Sequence, residues 1–91
     1  MNQVDVSDEA RDDLLVIANY LSDFSIPAAN RFIDSFETVL ADLRLFARIG
    51  SAEGSDENRR VLYRGFHAFL YEIGEERLTV IRILDARRPR Q

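Results

Sequence analysis

At 91 residues and 46% apolar, the chain makes a single domain with a core of its own, too apolar to be disordered. It has no cysteine, which removes disulfides, thiolate catalysis and cysteine-ligated metal together. A formal charge of −4 and a pI near 4.9 argue against a general nucleic-acid binder, because phosphate neutralisation dominates that affinity.

Residues 2–6 begin the chain with Val4 and Val6 in alternation, the pattern of a short first strand. Ser7 stands where a helix cap belongs, and Asp8 and Glu9 follow in a first turn that favours carboxylates. Ala10, Leu14, Ile17, Leu21 and Phe24 then recur at helical spacing, which predicts a helix over residues 8–23. Ser25, Ile26 and Pro27 break and restart the chain, with Ser25 as the next cap and proline tolerated in a first turn. Ala29, Phe32, Ile33, Phe36, Leu40, Leu43 and Ala47 predict a second, longer helix ended by Gly50. So short a link predicts an antiparallel helical hairpin.

Residues 51–58 are polar, contain Gly54, Ser55 and Asp56, and read as a loop. Beyond them residues 59–64, 66–73 and 78–84 are rich in Val, Ile, Leu, Phe and Tyr and read as three strands. Gly65 separates the first two, and residues 74–77 form a hairpin loop before the last. The run over 78–84 is apolar on both faces apart from Thr79 and Arg82, which suggests an interior strand. The order is β-α-α-β-β-β in one domain over residues 1–91, an α+β chain with a tail rich in arginine.

Charge is divided along the chain. Residues 1–45 hold nine acids against three arginines, whereas residues 59–91 hold eight arginines against four acids. Lysine is absent. Arginine forks onto carboxylates and phosphates, so the basic half suits an acidic peptide or a phosphate backbone. Arg60 and Arg64 share one strand face with Leu62 between them, while Arg59 alternates to the other. Strict alternation puts Arg82 on the face of Leu78, Val80 and Leu84, where a charge is costly unless paired. Arg82 is therefore expected either to meet an acid such as Asp85 or Glu72, or to line a surface that a ligand fills. The tail arginines Arg87, Arg88 and Arg90 read equally as a solvated end or as part of a binding surface.

No metal or cofactor is expected: there is one histidine, and the four scattered glycines form no phosphate loop. No run reaches the roughly 18 apolar residues of a spanning helix. The first residues lack the basic and apolar stretches of a secretory leader, so a cytoplasmic protein without a membrane partner is expected.

With this element order go particular strings: Ala28-Ala29 and Arg31-Phe32-Ile33 opening the second helix, then Leu43 and Gly50. They continue with Arg60 and Gly65, Leu70-Tyr71 and Ile73, Val80-Ile81-Arg82-Ile83-Leu84, and Arg87-Arg88. Together they resemble the RelE/ParE toxin superfamily over residues 4–88. The resemblance implies a helical hairpin packed on a small, mainly antiparallel four-stranded sheet. It also implies the toxin of a type II toxin–antitoxin pair, neutralised by a cognate antitoxin in a hetero-oligomer.

RelE-like members are ribosome-dependent endonucleases that cut messenger RNA. In that reading Arg64 and Arg82 would hold phosphate, with Tyr71 or His67 for acid–base work. Yet no Tyr or His follows the last strand. On the ParE side one string also departs, because Asp85-Ala86 stands where the last strand is often followed by His-Gly. ParE-like members are inhibitors of DNA gyrase, and the long hairpin, arginine-rich end and acidic pI favour this side. The resemblance implies a binding surface, for antitoxin or target, that draws on Arg59, Arg60, Arg64, His67, Arg82, Arg87 and Arg88. The antitoxin segment would cover Arg60, Arg64, Arg82 and the flank of the helical hairpin. A degenerate member that only binds antitoxin is a third reading.

Overall fold

The computed structural model describes residues 2–86. Its elements are β1 (Gln3–Val6), α1 (Asp8–Ser22), α2 (Ile26–Leu45), β2 (Ser51–Glu53), β3 (Asp56–Arg64), β4 (His67–Ile73) and β5 (Arg77–Asp85). They form one five-stranded sheet in the order β1-β5-β4-β3-β2. β1 runs parallel to β5 and the other pairs are antiparallel. The α+β architecture and the helical hairpin are as expected, with one strand more than the four anticipated.

That extra strand corrects the loop expected over residues 51–58. Ser51 lies opposite Val61 and Ala52 opposite Arg60, and Gly54 turns the chain at φ +65°. The pairing is made by backbone groups on a sheet edge, and all three β2 residues are exposed, so no hydrophobic alternation marks it.

Serine caps set both helices. The Ser7 hydroxyl accepts from Ala10 N at 3.1 Å and donates to Ile81 O at 3.0 Å, so one side chain starts α1 and fastens it to β5. Ser25 accepts from Ala28 N at 3.2 Å, and Pro27 follows in the first turn of α2. A cap of this kind contributes about 1 kcal/mol. Phe24, expected on the buried face of α1, lies past the helix end, exposed, with its ring 5.0 Å from Tyr20.

The hairpin covers one sheet face only. Phe36 stacks on Phe69 with ring centres 6.4 Å apart, and Phe32 meets His67 at 4.5 Å. Cross-strand neighbours share a face, so Leu62 and Ile83 flank Phe69, and Val80 flanks Tyr71, on the covered side. From α2, Phe32, Phe36, Val39 and Leu43 are buried against them, whereas Ile33 is turned to solvent.

Register in β5 departs from simple alternation. Leu70 pairs with Arg82, but the next β4 residue, Tyr71, pairs with Val80, so Ile81 is one residue too many. Such a bulge reverses which residues face the core. Leu78 and Val80 face the helices before it and Ile83 after it, while Arg82 turns to the far face beside Leu70. The placement of Arg82 with Leu78 and Val80 is corrected by this one inserted residue.

Tyr71 is wholly buried. Its hydroxyl donates to Ala47 O at 2.8 Å and accepts from Gly50 N at 2.9 Å, tying the chain after α2 to the centre of the sheet. A Cβ on Gly50 would lie 2.9 Å from that hydroxyl and 2.7 Å from Val61 O, so the close approach requires glycine. Tyr71→Phe strands a buried N–H and a carbonyl, and a loss of about 1–3 kcal/mol is expected in urea unfolding. Gly50→Ala should lower the midpoint as well; unchanged midpoints for both would show that the tie contributes nothing.

Candidate functional site

The arginines expected to contribute to a binding surface are divided by the sheet. On the face turned from the helices, Arg59 pairs with Glu72 at 3.3 Å and Arg77 with Asp5 at 3.0 Å. Arg82 lies on the same face, opposite Leu70. Between them lie Val61, Tyr63, Leu70 and Leu84, with Tyr63 59% exposed. This face carries no helix, and it offers apolar ground ringed by ion pairs.

Arg82 meets Asp13 of α1, rather than the expected Asp85 or Glu72. Asp13 Oδ2 accepts from Arg82 Nε at 2.7 Å and from Ile83 N at 2.9 Å, while Oδ1 accepts from Arg82 Nη2 at 3.1 Å. The guanidinium is held above its ordinary pKa by the hydrogen bond it donates to Asp13, then by the Asp13 charge, with a smaller contribution from Glu9. A raised arginine value means that its part of the stability is fully present at neutral pH and, as pH rises, is lost only in strong alkali. Asp13 is the more buried partner, with 17% side-chain exposure against 50% for Arg82.

Arg60 and Arg64 point to the helix side, as the alternation with Leu62 predicts. Arg60 donates to three carbonyls, Gly50 O at 2.8 Å, Glu57 O at 3.1 Å and Arg48 O at 3.3 Å, and so fastens the turn after α2. Arg64 reaches Asp42 of α2 at 3.3 Å and Tyr63 O at 3.0 Å. Across β4 from Arg64 stands His67, with Asp85 beyond it in the same cross-strand row. His67 Nε2 lies 4.0 Å from Asp85 Oδ2, and both side chains are largely buried. Arg87 and Arg88 lie outside the described residues.

Above this row opens a groove of about 480 Å³ between the helical hairpin and the β3–β4 turn. Leu21, Phe32 and Phe66 give it apolar walls, and Arg31, Ser35 and Arg64 give it polar ones. Gly65, at φ +60°, supplies the first position of the two-residue turn, and Ala86 N holds Phe66 O at 2.7 Å. Arg31 was not among the residues expected from the sequence. Its place in Arg31-Phe32-Ile33, one helical turn before Ser35, was the available signal.

Of the residues named for a nuclease, only Arg64 and His67 stand side by side. Arg64 is on the helix side, Tyr71 is inside the core, and Arg82 is on the far face. Among the described residues, no group of three or more His, Cys, Asp or Glu is placed to hold a metal. Among them also, no helix is long and apolar enough to cross a membrane.

A helical hairpin on one face of a mostly antiparallel sheet, with an arginine-bearing open face, makes this a small α+β domain with one sheet face left uncovered. The chain belongs to the family of ParE toxins of type II toxin–antitoxin systems, parDE, whose sequence model matches residues 4–90. Its fold is similar to that of a chain from the chromosomal ParDE TA system of P. aeruginosa, with a TM-score of 0.73 and 17% identity. The match covers 91% of this chain and 94% of that one. No curated protein sequence matches the chain.

The Asp13 contacts separate a structural role from a binding one. Asp13→Ala leaves Ile83 N–H without its acceptor and should cost about 1–3 kcal/mol. Arg82→Ala removes an exposed ion pair and should cost less than about 1 kcal/mol. Thermal unfolding of the two variants checks this order; equal losses would mean that the Ile83 bond is dispensable.

Proposed function

We propose that this ParE-type toxin arrests growth by docking on DNA gyrase, and that a cognate antitoxin neutralises it in a cytoplasmic hetero-oligomer. The observation that carries this reading is that Arg82 lies on the open sheet face, away from Arg64 and His67 on the helix side, while Tyr71 is closed inside the core. RNA cleavage through the 2′-hydroxyl needs a proton acceptor and phosphate-binding cations within reach of one phosphate. Tyr71 is committed inside the core by two hydrogen bonds, so it supplies no such acceptor. What the surface does offer is area: the open sheet face around Tyr63, and arginines positioned by neighbouring acids. That suits recognition of a protein.

Family membership supports the antitoxin, and the pairing named for the P. aeruginosa system supports it further. An antitoxin segment with acidic side chains would find Arg59 and Arg82 on the open face, and Arg64 at the groove. Arg60, spent on three carbonyls, stabilises the surface instead of presenting itself.

Purified protein should abolish the supercoiling of relaxed plasmid by gyrase, and the product of the adjoining reading frame should restore it. Messenger RNA should stay uncut after induction. Normal supercoiling at saturating protein, together with codon-dependent cuts on ribosomes, would transfer the assignment to the nuclease branch. Antitoxin binding without growth arrest would instead mark a degenerate toxin.

A further inference from the structure

The groove beside the β3–β4 turn has a composition that the chain as a whole does not share. The chain holds 16 acids against 12 arginines, yet the groove is lined by Arg31 and Arg64 and by no carboxylate among the described residues. Arg64 is already held by Asp42, whereas Arg31 is exposed and makes no ion pair among the described residues. Ser35, one turn further along α2, places a hydroxyl on the same wall. Opposite, Phe66 is 57% exposed, carried at the second position of a tight turn that Gly65 permits. Leu21 and Phe32 line the same groove.

We infer that this groove receives an apolar side chain flanked by a carboxylate, from the antitoxin segment that binds the toxin, with Arg31 as the recognition residue. The inference rests on the antitoxin reading above and gives it an anchor point. The apolar side chain lies between Phe32, Leu21 and Phe66, the kind of pocket in which interface energy concentrates. The flanking carboxylate accepts from the Arg31 guanidinium, whose engagement displaces no acid among the described residues. A charge-assisted contact of this kind changes affinity by about tenfold or more.

The probe is an acetylated, amidated hexapeptide, Ser-Glu-Phe-Glu-Leu-Ser, titrated into the isotopically labelled full chain. Saturable shifts are expected at the amides of Arg31, Ser35, Gly65 and Phe66. Replacing both Glu by Gln should weaken binding about tenfold, and replacing Phe and Leu by Ser should abolish it. Arg31→Gln, a surface change that keeps the folded spectrum, should make the Glu and Gln peptides bind alike; Arg48→Gln should not.

Equal affinity of the two peptides for the unaltered chain would overturn the proposal, as would shifts confined to the open sheet face. Tighter binding of inorganic phosphate or a mononucleotide in the groove would overturn it too. A parallel titration uses the purified product of the adjoining reading frame. If it binds the unaltered chain and the Arg31→Glu variant equally, the groove assignment fails and the antitoxin reading stands. If it binds neither, the antitoxin reading fails first.

Discussion

β5 is paired along its whole length on one side, but on the other β1 accompanies it only as far as Val80. The remainder would be a bare strand edge over the core, with backbone groups that must find partners. α1 supplies them. Ser7 N donates to Val80 O at 2.9 Å, the Ser7 hydroxyl to Ile81 O, and Asp13 accepts from Ile83 N. A helix thus continues the work of a strand that has ended, and its direction is set by β5. The position of the hairpin over Phe69 and Tyr71, and hence the groove at its far end, follows from that attachment.

The bulge at Ile81 belongs to the same solution. Without it Arg82 would point into the core among Leu78 and Val80; with it Ile83 fills that place and Arg82 folds over the edge onto Asp13. One carboxylate then serves a backbone donor and a guanidinium together. Similar economy recurs at Arg60, which holds the Arg48 and Gly50 carbonyls of the turn that Tyr71 fastens from below and the Glu57 carbonyl of its own strand. The arginines are therefore first parts of the structure, and only some of them also present charge to a partner.

Much of this was legible in the residues. The serine caps, the helical stripe from Ala10 to Leu21, and the division of Arg59 from Arg60 and Arg64 follow from spacing alone. What spacing did not carry was anything decided by backbone pairing across the fold. β2 is all polar and exposed, so only its partner strand reveals it. The bulge follows from how Leu70 and Tyr71 meet β5, which no local period encodes. Val39 is fully buried while Ile33 faces solvent, because the hairpin's tilt selects the 32, 36, 39, 43 stripe over its neighbour. Arg82 found Asp13, 69 residues away, where local reasoning supplied only nearby acids.

Internal pairing also decides what kind of recognition the surface can support. A partner carboxylate approaching Arg82 must replace Asp13, and one approaching Arg59 must replace Glu72. Exchanging one carboxylate for another yields little net energy, and half-exposed pairs are worth little to begin with. Sheet arginines therefore steer and set register more than they bind. A disordered partner that folds on contact must also offset its ordering entropy, which apolar burial does and exchanged ion pairs do not. The sites that satisfy this condition combine exposed rings with unspent charge. Tyr63 on the open face has the first but stands among satisfied pairs. The groove has both, with Phe66 opposite an arginine that pairs with no acid among the described residues.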